Sequence, residues 1–362
     1  MGLQPASEHN RRGQNVSASK GENLLGMSRT ELEQFAVACG QPRYRGAQLY
    51  QGLYSRRERD LARLTNLDRR FREFLISNCQ VVYPRIEQQF ASQDGSVRYL
   101  FRLEDGNAIE AVYMPEENRT TLCISSQVGC AVDCRFCFTA LVGVRRNLSA
   151  GEIVGQVLEA QTAQRIAPHS RLNVVFMGQG EPLLNLGSVM KAVNILADRG
   201  GCGIALRRIT ISTSGIVPRL YDLGREPLRP KLAISLNAST EEQRTALMPI
   251  NRKYPLRDLL DACRAYPLRP RERLTFEYVM LDAVNDSDAD AERVAKLLAG
   301  IPSRVNLIPY NPGDGLPYRP SPLDRVLRFQ EVLKRRGVPA FIRISRGRDV
   351  MAACGQLSLV GG

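Results

Sequence analysis

A chain of 362 residues, 43% hydrophobic and 24% charged, has the makeup of a globular protein of two or three domains. No run is long and apolar enough to span a bilayer, and residues 1–26 lack the apolar core of a secretory signal, so a cytoplasmic protein is expected. Fifty Lys and Arg against 37 Asp and Glu give a net charge of +13, a field that draws polyanions and makes nucleic acid a better partner than a membrane.

Residues 1–25 are polar and aperiodic and read as a disordered tail. Ser28-Arg-Thr-Glu31 is a capping box, and Leu32, Phe35 and Ala36 follow at helical spacing. Helices over 43–56 and 60–78 complete a helical module, 26–80. The period then shortens to two. Strands are expected over 81–91, 97–103, 108–114 and 120–125, with turns at Asp94-Gly95 and Asp105-Gly106-Asn107, giving a β extension over 81–118. From Ser149 onward the chain alternates. Helices over 150–165, 186–199, 217–224, 255–265, 287–299 and 321–336 lead to strands over 172–177, 208–213, 231–236, 273–280, 303–308 and 339–344. With 120–125 this makes six or seven parallel strands with crossover helices, too few for a closed eight-stranded barrel. The fold class is therefore α/β, an open partial barrel over 119–345 with its site at the carboxyl ends of the strands.

The nine cysteines are odd in number, which in a cytoplasmic protein favours metal or redox chemistry over a disulfide framework. Cys130, Cys134 and Cys137 form CxxxCxxC directly after the first barrel strand. Four-iron clusters usually take four Cys ligands. Three would leave one iron open to the amine and carboxylate of S-adenosylmethionine. The alternatives are a zinc site or a cluster closed by Cys123. Zinc favours paired CxxC or Cys/His spacings, and the two histidines, His9 and His169, lie far away in sequence.

Later strands end in small polar residues suited to a ribose and an adenine: Gly178-Gln-Gly180-Glu181-Pro182, Thr210-Ile-Ser212-Thr213-Ser214-Gly215, Ser235-Leu236-Asn237 and Tyr310-Asn311-Pro312. Glu181 is placed to accept from an ammonium group.

These segments, with 108–148, 174–185, 209–218, 232–238, 306–312 and 346–357, resemble the RlmN/Cfr family of radical S-adenosylmethionine RNA adenine methyltransferases, of the RlmN type. The likeness runs from about Ser28 to Leu357. It implies a radical-SAM partial (β/α)6 barrel with an N-terminal helical RNA-binding module and a small β extension. It also implies methylation of adenine C2 in 23S rRNA and in tRNA next to the anticodon. The alternatives are the sister reaction at C8, or a radical enzyme acting on protein. The cofactors implied are one [4Fe–4S] cluster on Cys130, Cys134 and Cys137, and two S-adenosylmethionine molecules per turnover. Gly180, Glu181, Ser212, Ser235, Leu236, Asn237 and Asn311 match the family's S-adenosylmethionine contacts, although some relatives carry His at the position of Asn237. Cys354, on a C-terminal tail over 346–362, matches the cysteine that carries the methyl group. Cys123 matches its resolving partner and Glu110 the proton acceptor. An external electron donor of flavodoxin type and a monomeric state complete the expectation. Arg119, Arg145, Arg146, Arg207, Arg208, Arg343, Arg346 and Arg348 lie near these motifs as candidate phosphate holders.

Overall fold

The computed structural model describes residues 21–117, 119–313 and 315–357. The helical module begins as its capping box dictates. Ser28 Oγ accepts from the Glu31 N–H, and Glu31 Oε2 accepts from the Ser28 N–H at 2.7 Å, opening the helix Arg29–Ala38. The expected helix over 43–56 is an α-helix, Arg43–Tyr50, running into a π turn, Gln51–Ser55. The wider turn keeps both Tyr50 and Tyr54 inside, their rings 4.7 Å apart. The expected helix over 60–78 is broken. A short 3-10 turn, Leu61–Arg63, precedes the α-helix Arg69–Asn78, because Asp68 caps a new start by accepting from the Phe71 N–H at 3.0 Å.

The expected tail over 1–25 ends earlier. Glu22–Asn23 pairs in parallel with Cys79–Gln80, and Leu24 and Leu25 are buried. Residues 1–20 lie outside the described residues.

One ten-stranded sheet organises the rest. Its strands are β1 (Arg85–Ala91), β2 (Val97–Arg102), β3 (Ala108–Glu116), β4 (Arg119–Cys123), β5 (Leu172–Phe176), β6 (Ile209–Thr213), β7 (Lys231–Ser235), β8 (Leu274–Met280), β9 (Ser303–Pro309) and β10 (Ala340–Ile342). They lie side by side in chain order. β1 to β4 are antiparallel, and Gly95 and Gly106, at φ 83° and 81°, supply the left-handed turn positions between them. β4 to β10 are all parallel, seven strands, within the six or seven expected of the open partial barrel. β1 and β10 each have one neighbour, which leaves the barrel open.

The two faces of the parallel strands differ in chemistry. Leu172, Val174, Ile209, Ile211, Leu232, Ile234, Leu274, Phe276, Val305 and Leu307 enter the main hydrophobic core. The alternating residues Asn173, Val175, Thr210, Ala233, Thr275, Glu277 and Asn306 line a cavity of about 440 Å³ instead. Cys123 at the end of β4 and Ile342 in β10 border that same cavity. A flat sheet would hold those strands about 29 Å apart at about 4.8 Å per gap. The sheet is therefore curled, and this is what brings distant strand ends to one place.

Candidate active site

A second cavity, of about 170 Å³, sits at the carboxyl ends of the parallel strands. The three clustered cysteines reach it from one loop. After a short strand, Gln127–Gly129, the chain turns through Cys130, Asp133 at φ 57° and Cys134, and Cys137 precedes the short helix Phe138–Val142. Gly129 is required there, since a Cβ would run into the Gly143 carbonyl. Cys130, Cys134 and Cys137 all line the cavity. Burial pushes the Cys130 thiol up to about 12, against N–H donation from Val132 and Gly180. It pushes Cys134 well above its ordinary value, and the neighbouring Cys137 and Cys130 add to this. Cys137 is raised by burial too, with Thr139 and Ala140 donating to its sulfur. Three half-buried thiols that disfavour one another's charge need a cationic centre to become thiolates together. Among the described residues they share a wall and form no closed ligand cage.

The remaining lining suits a small polar cofactor. Gly180, Glu181, Ser212, Ser235, Asn237 and Asn311 all border the cavity. Gly180, at φ +98°, lets the strand end pass over Gln127, where a Cβ would clash. Glu181 is buried, and burial raises its carboxyl. Its Oε2 accepts from the Ser214 N–H at 2.7 Å and the Ser214 hydroxyl at 2.8 Å, and its Oε1 from the Leu183 N–H at 3.0 Å. Asn237, at φ 56°, accepts from the Val279 N–H at 2.9 Å and ties the end of β7 to β8. Asn311 is buried with its Nδ2 unpartnered, and the buried Tyr310 hydroxyl beside it is unpartnered too. A spare amide donor and a spare hydroxyl, in the lining that also holds the three thiols, fit a cluster and an amino-acid-bearing nucleoside. Leu236 departs from this pattern. Its side chain packs in the core, away from the cavity, and its N–H donates to the Glu277 carbonyl.

Arg244 belongs to none of the sequence motifs. It is fully buried on the helix Glu241–Leu247, a helix not anticipated between β7 and β8. Its guanidinium donates to the Ser214 carbonyl at 2.7 Å, the Ser235 carbonyl at 3.2 Å and Asn251 Oδ1 at 3.0 Å. It thus ties together the ends of two strands that border this cavity.

Glu110 is fully buried in β3 and lines neither cavity. Its Oε1 meets Arg98 Nη1 at 2.6 Å and its Oε2 accepts from Gln179 Nε2 at 3.2 Å. Removing one side of a buried pair costs roughly 3–5 kcal/mol. Glu110→Ala is therefore expected to lower unfolding stability by about that amount in urea titration. An Arg98→Met, Glu110→Leu double replacement should restore much of it.

The tail folds back over the sheet. Upstream of Cys354, Asp94 Oδ2 accepts from the Gly347 N–H at 2.9 Å, and Asp349 accepts from the Ser92 hydroxyl at 2.6 Å. Downstream, the Phe138 N–H donates to the Gly355 carbonyl at 2.8 Å and the Thr139 hydroxyl to the Leu357 carbonyl at 2.7 Å. Cys354 opens onto both cavities, whereas Cys123 is buried and borders the larger one. Burial raises the Cys123 thiol; Cys354 is exposed, and desolvation by its surroundings raises it to about 11, with Glu277 adding and Arg343 opposing.

Burial alone would raise the Asp94 carboxyl. The N–H groups of Gly347 and Ser96 outweigh it and hold Asp94 at about 2. With the folded value depressed, the latch is intact at neutral pH. It weakens as pH drops below the ordinary carboxylate range and is lost as pH falls through about 2. Asp94→Asn should speed amide exchange at Gly347 at neutral pH, with exchange in β8 unchanged.

Arg119, Arg207, Arg208, Arg343 and Arg346 line the larger cavity, joined by Lys231 and Arg304, which the sequence reading did not single out. Arg145 and Arg146 lie elsewhere. Arg145 bonds Asn107, and Arg146 is held by Asp105 and Glu152 at 2.6 and 2.7 Å. Arg348 also lies outside the lining.

Comparison with known proteins agrees with this geometry. Residues 124–295 match the Radical SAM superfamily, and residues 22–81 match the ribosomal RNA large subunit methyltransferase N-terminal domain. A probable dual-specificity RNA methyltransferase RlmN from Koribacter versatilis is 50% identical, covering 88% of this chain and 96% of that protein. The dual-specificity RNA methyltransferase RlmN of an Anaeromyxobacter species is 46% identical, covering 94% and 91%. The crystal structure of a radical SAM methyltransferase from Sphaerobacter thermophilus superposes with a TM-score of 0.88 at 44% identity, covering 93% of this chain and 99% of that one. Identity of this order over nearly full length, on a curled sheet whose two cavities meet at a tail cysteine, places the chain in the RlmN family of radical-SAM RNA methyltransferases.

Proposed function

We propose that the protein methylates C2 of a specific adenosine in 23S rRNA and in tRNA, with Cys354 as methyl carrier. The observation that carries this is the position of Cys354, on the border between a thiol-walled cofactor cavity and a basic cavity large enough for a base. Adenine C2 is a poor nucleophile, so direct transfer from a sulfonium is closed to it. A carrier facing both compartments offers a detour. A cluster on Cys130, Cys134 and Cys137, with S-adenosylmethionine, would supply the methyl group and the one-electron chemistry. Gly180, Glu181, Ser212, Ser235, Asn237 and Asn311 would hold that cofactor, with Leu236 restricted to main-chain contact.

Cys354 Sγ then bears the one-carbon unit to the base. Cys123, as thiolate, attacks Cys354 Sγ; the electron pair of the S–C bond goes to the methylene carbon, which takes a proton from water to become the methyl group of the released base, and the disulfide left behind is reopened by external reductant. The resemblance assigns the proton acceptor to Glu110. In this structure that role requires the Arg98 pair to open when RNA is bound. Among the described residues no helix is long and apolar enough to cross a membrane. A cytoplasmic monomer served by a flavodoxin-like donor is the working arrangement.

The test is anaerobic reconstitution, incubation with rRNA and tRNA, and nucleoside mapping. 2-Methyladenosine is expected; 8-methyladenosine or unmodified RNA would overturn the proposal. Binding should be electrostatic. Arg207→Glu with Arg208→Glu should weaken RNA affinity and flatten its dependence on salt by about one unit of slope per lost phosphate contact. Iron content should stay unchanged. An affinity already flat across salt in the native protein would exclude a phosphate-tracking surface.

A further inference from the structure

Two carboxylates line the larger cavity, Glu116 and Glu277. Glu116 is at the rim and paired with Arg119 at 2.8 Å. Glu277 is placed differently. It is buried at the middle of β8, and it is one of four residues, with Met177, Ile308 and Cys354, that border both cavities. Its Oε1 accepts from Asn306 Nδ2 at 2.9 Å, across the register pair that joins β8 to β9. That bond fixes the carboxyl in orientation. Its Oε2 takes no hydrogen bond among the described residues and is not enclosed, so it faces cavity space.

A base that reaches Cys354 must come against this acceptor. The chemistry of a carboxylate is selective toward nucleobases, because it accepts and does not donate. Adenine carries an exocyclic amine on C6, and C6 flanks the same ring nitrogen as C2. A base held by that amine would present its C2 edge close by. Guanine and hypoxanthine carry an oxygen on C6, whose lone pairs oppose a carboxylate at that place; their N1–H can reach it only in another pose, so the discrimination such an acceptor provides is between a purine with the C6 amine and one without it. A buried acceptor left unpaired is also costly, so purine with no amine is rejected as well.

We infer that Glu277 reads the exocyclic amine of the target adenine and turns C2 toward Cys354, making it a specificity-determining residue. The inference rests on the RNA adenine methyltransferase reading above. Phosphate contacts serve every RNA alike, so selectivity among bases at this point falls to groups such as this one.

The test uses reconstituted holoenzyme and two RNAs that differ at one position, adenosine or purine riboside. Equilibrium affinity and kcat/KM are measured for each. The native protein is expected to favour adenosine in kcat/KM by roughly 10- to 100-fold. Glu277→Gln, which keeps an accepting oxygen, should retain a smaller preference. Glu277→Met, similar in length with no acceptor, should bring the ratio to about one. Iron content and S-adenosylmethionine binding, measured in each variant, confirm the fold. A native ratio near one overturns the inference without recourse to any variant. So does a Glu277→Met protein that discriminates as the native one does. Native protein that methylates neither RNA sinks the methyltransferase reading, and this inference with it.

Discussion

A Cys123→Ala protein accumulates a covalent protein–RNA species, whereas a Cys354→Ala protein forms none. The two thiols border one cavity, Cys123 buried and Cys354 exposed, yet only Cys354 also borders the cavity walled by the three clustered cysteines. On the mechanism proposed above, that asymmetry separates their roles. Cys354 alone can be loaded from the cofactor side. Cys123, buried at the end of β4, can act only on what Cys354 brings to the shared cavity. Without Cys354 there is no carrier, so neither methylated RNA nor crosslink appears, although iron content is unchanged. Without Cys123 loading and attack proceed, and nothing cleaves the bond between Cys354 and the base. The trapped species is expected as a nuclease-sensitive upward shift on a denaturing gel. In the native protein the two sulfurs must reach disulfide geometry during turnover, with Cα atoms about 4.4–6.8 Å apart. A Cys123→Ala protein that turned over normally, or trapped no RNA, would exclude the carrier mechanism even with the cluster in place.

The alternation of helices and strands, and the CxxxCxxC loop between β4 and the first crossover helix, are legible because both are local patterns. Strand boundaries from β2 to β10 lie within a few residues of expectation. What escaped was chemistry that depends on curling the sheet. Glu277, Arg304 and Lys231 sit inside runs such as LTFEYVM and KLAIS that read as apolar strands. Period two sends Phe276 and Tyr278 to the core and Glu277 to the cavity, but the sequence does not say that the second face encloses a site. Arg244 looks like one more surface charge on a short helix, and is in fact fully buried. Conversely, Arg145 and Arg146 look free in sequence and are held by Asn107, Asp105 and Glu152, the first two contributed by the β2–β3 turn. Leu236 lies between two cavity-lining residues and points the other way, as alternation requires.

The cluster loop and the carrier tail are physically joined, and this sharpens the expectation for the cysteine motif. Replacing Cys134 with Ala should abolish the brown chromophore and all S-adenosylmethionine cleavage, because two thiols cannot replace three in holding an open-site cluster. Cys134 sits between Cys130 and Cys137 in the motif and is influenced by both, as well as by Arg244. Its loss leaves the remaining half-buried thiols with no metal to neutralise them, and they revert to neutral thiols. The consequence extends beyond the metal. Phe138 and Thr139, immediately after Cys137, hold the Gly355 and Leu357 carbonyls on either side of Gln356. A loop that no longer closes on a cluster grips the tail less well, so amide exchange over 353–357 should quicken in Cys134→Ala, while the Asp94–Gly347 latch persists. Full iron content in that variant, or stoichiometric zinc in the native protein, would rule out the three-cysteine cluster. Iron loss with unchanged exchange over 353–357 would show that the tail is seated by its upstream latch alone.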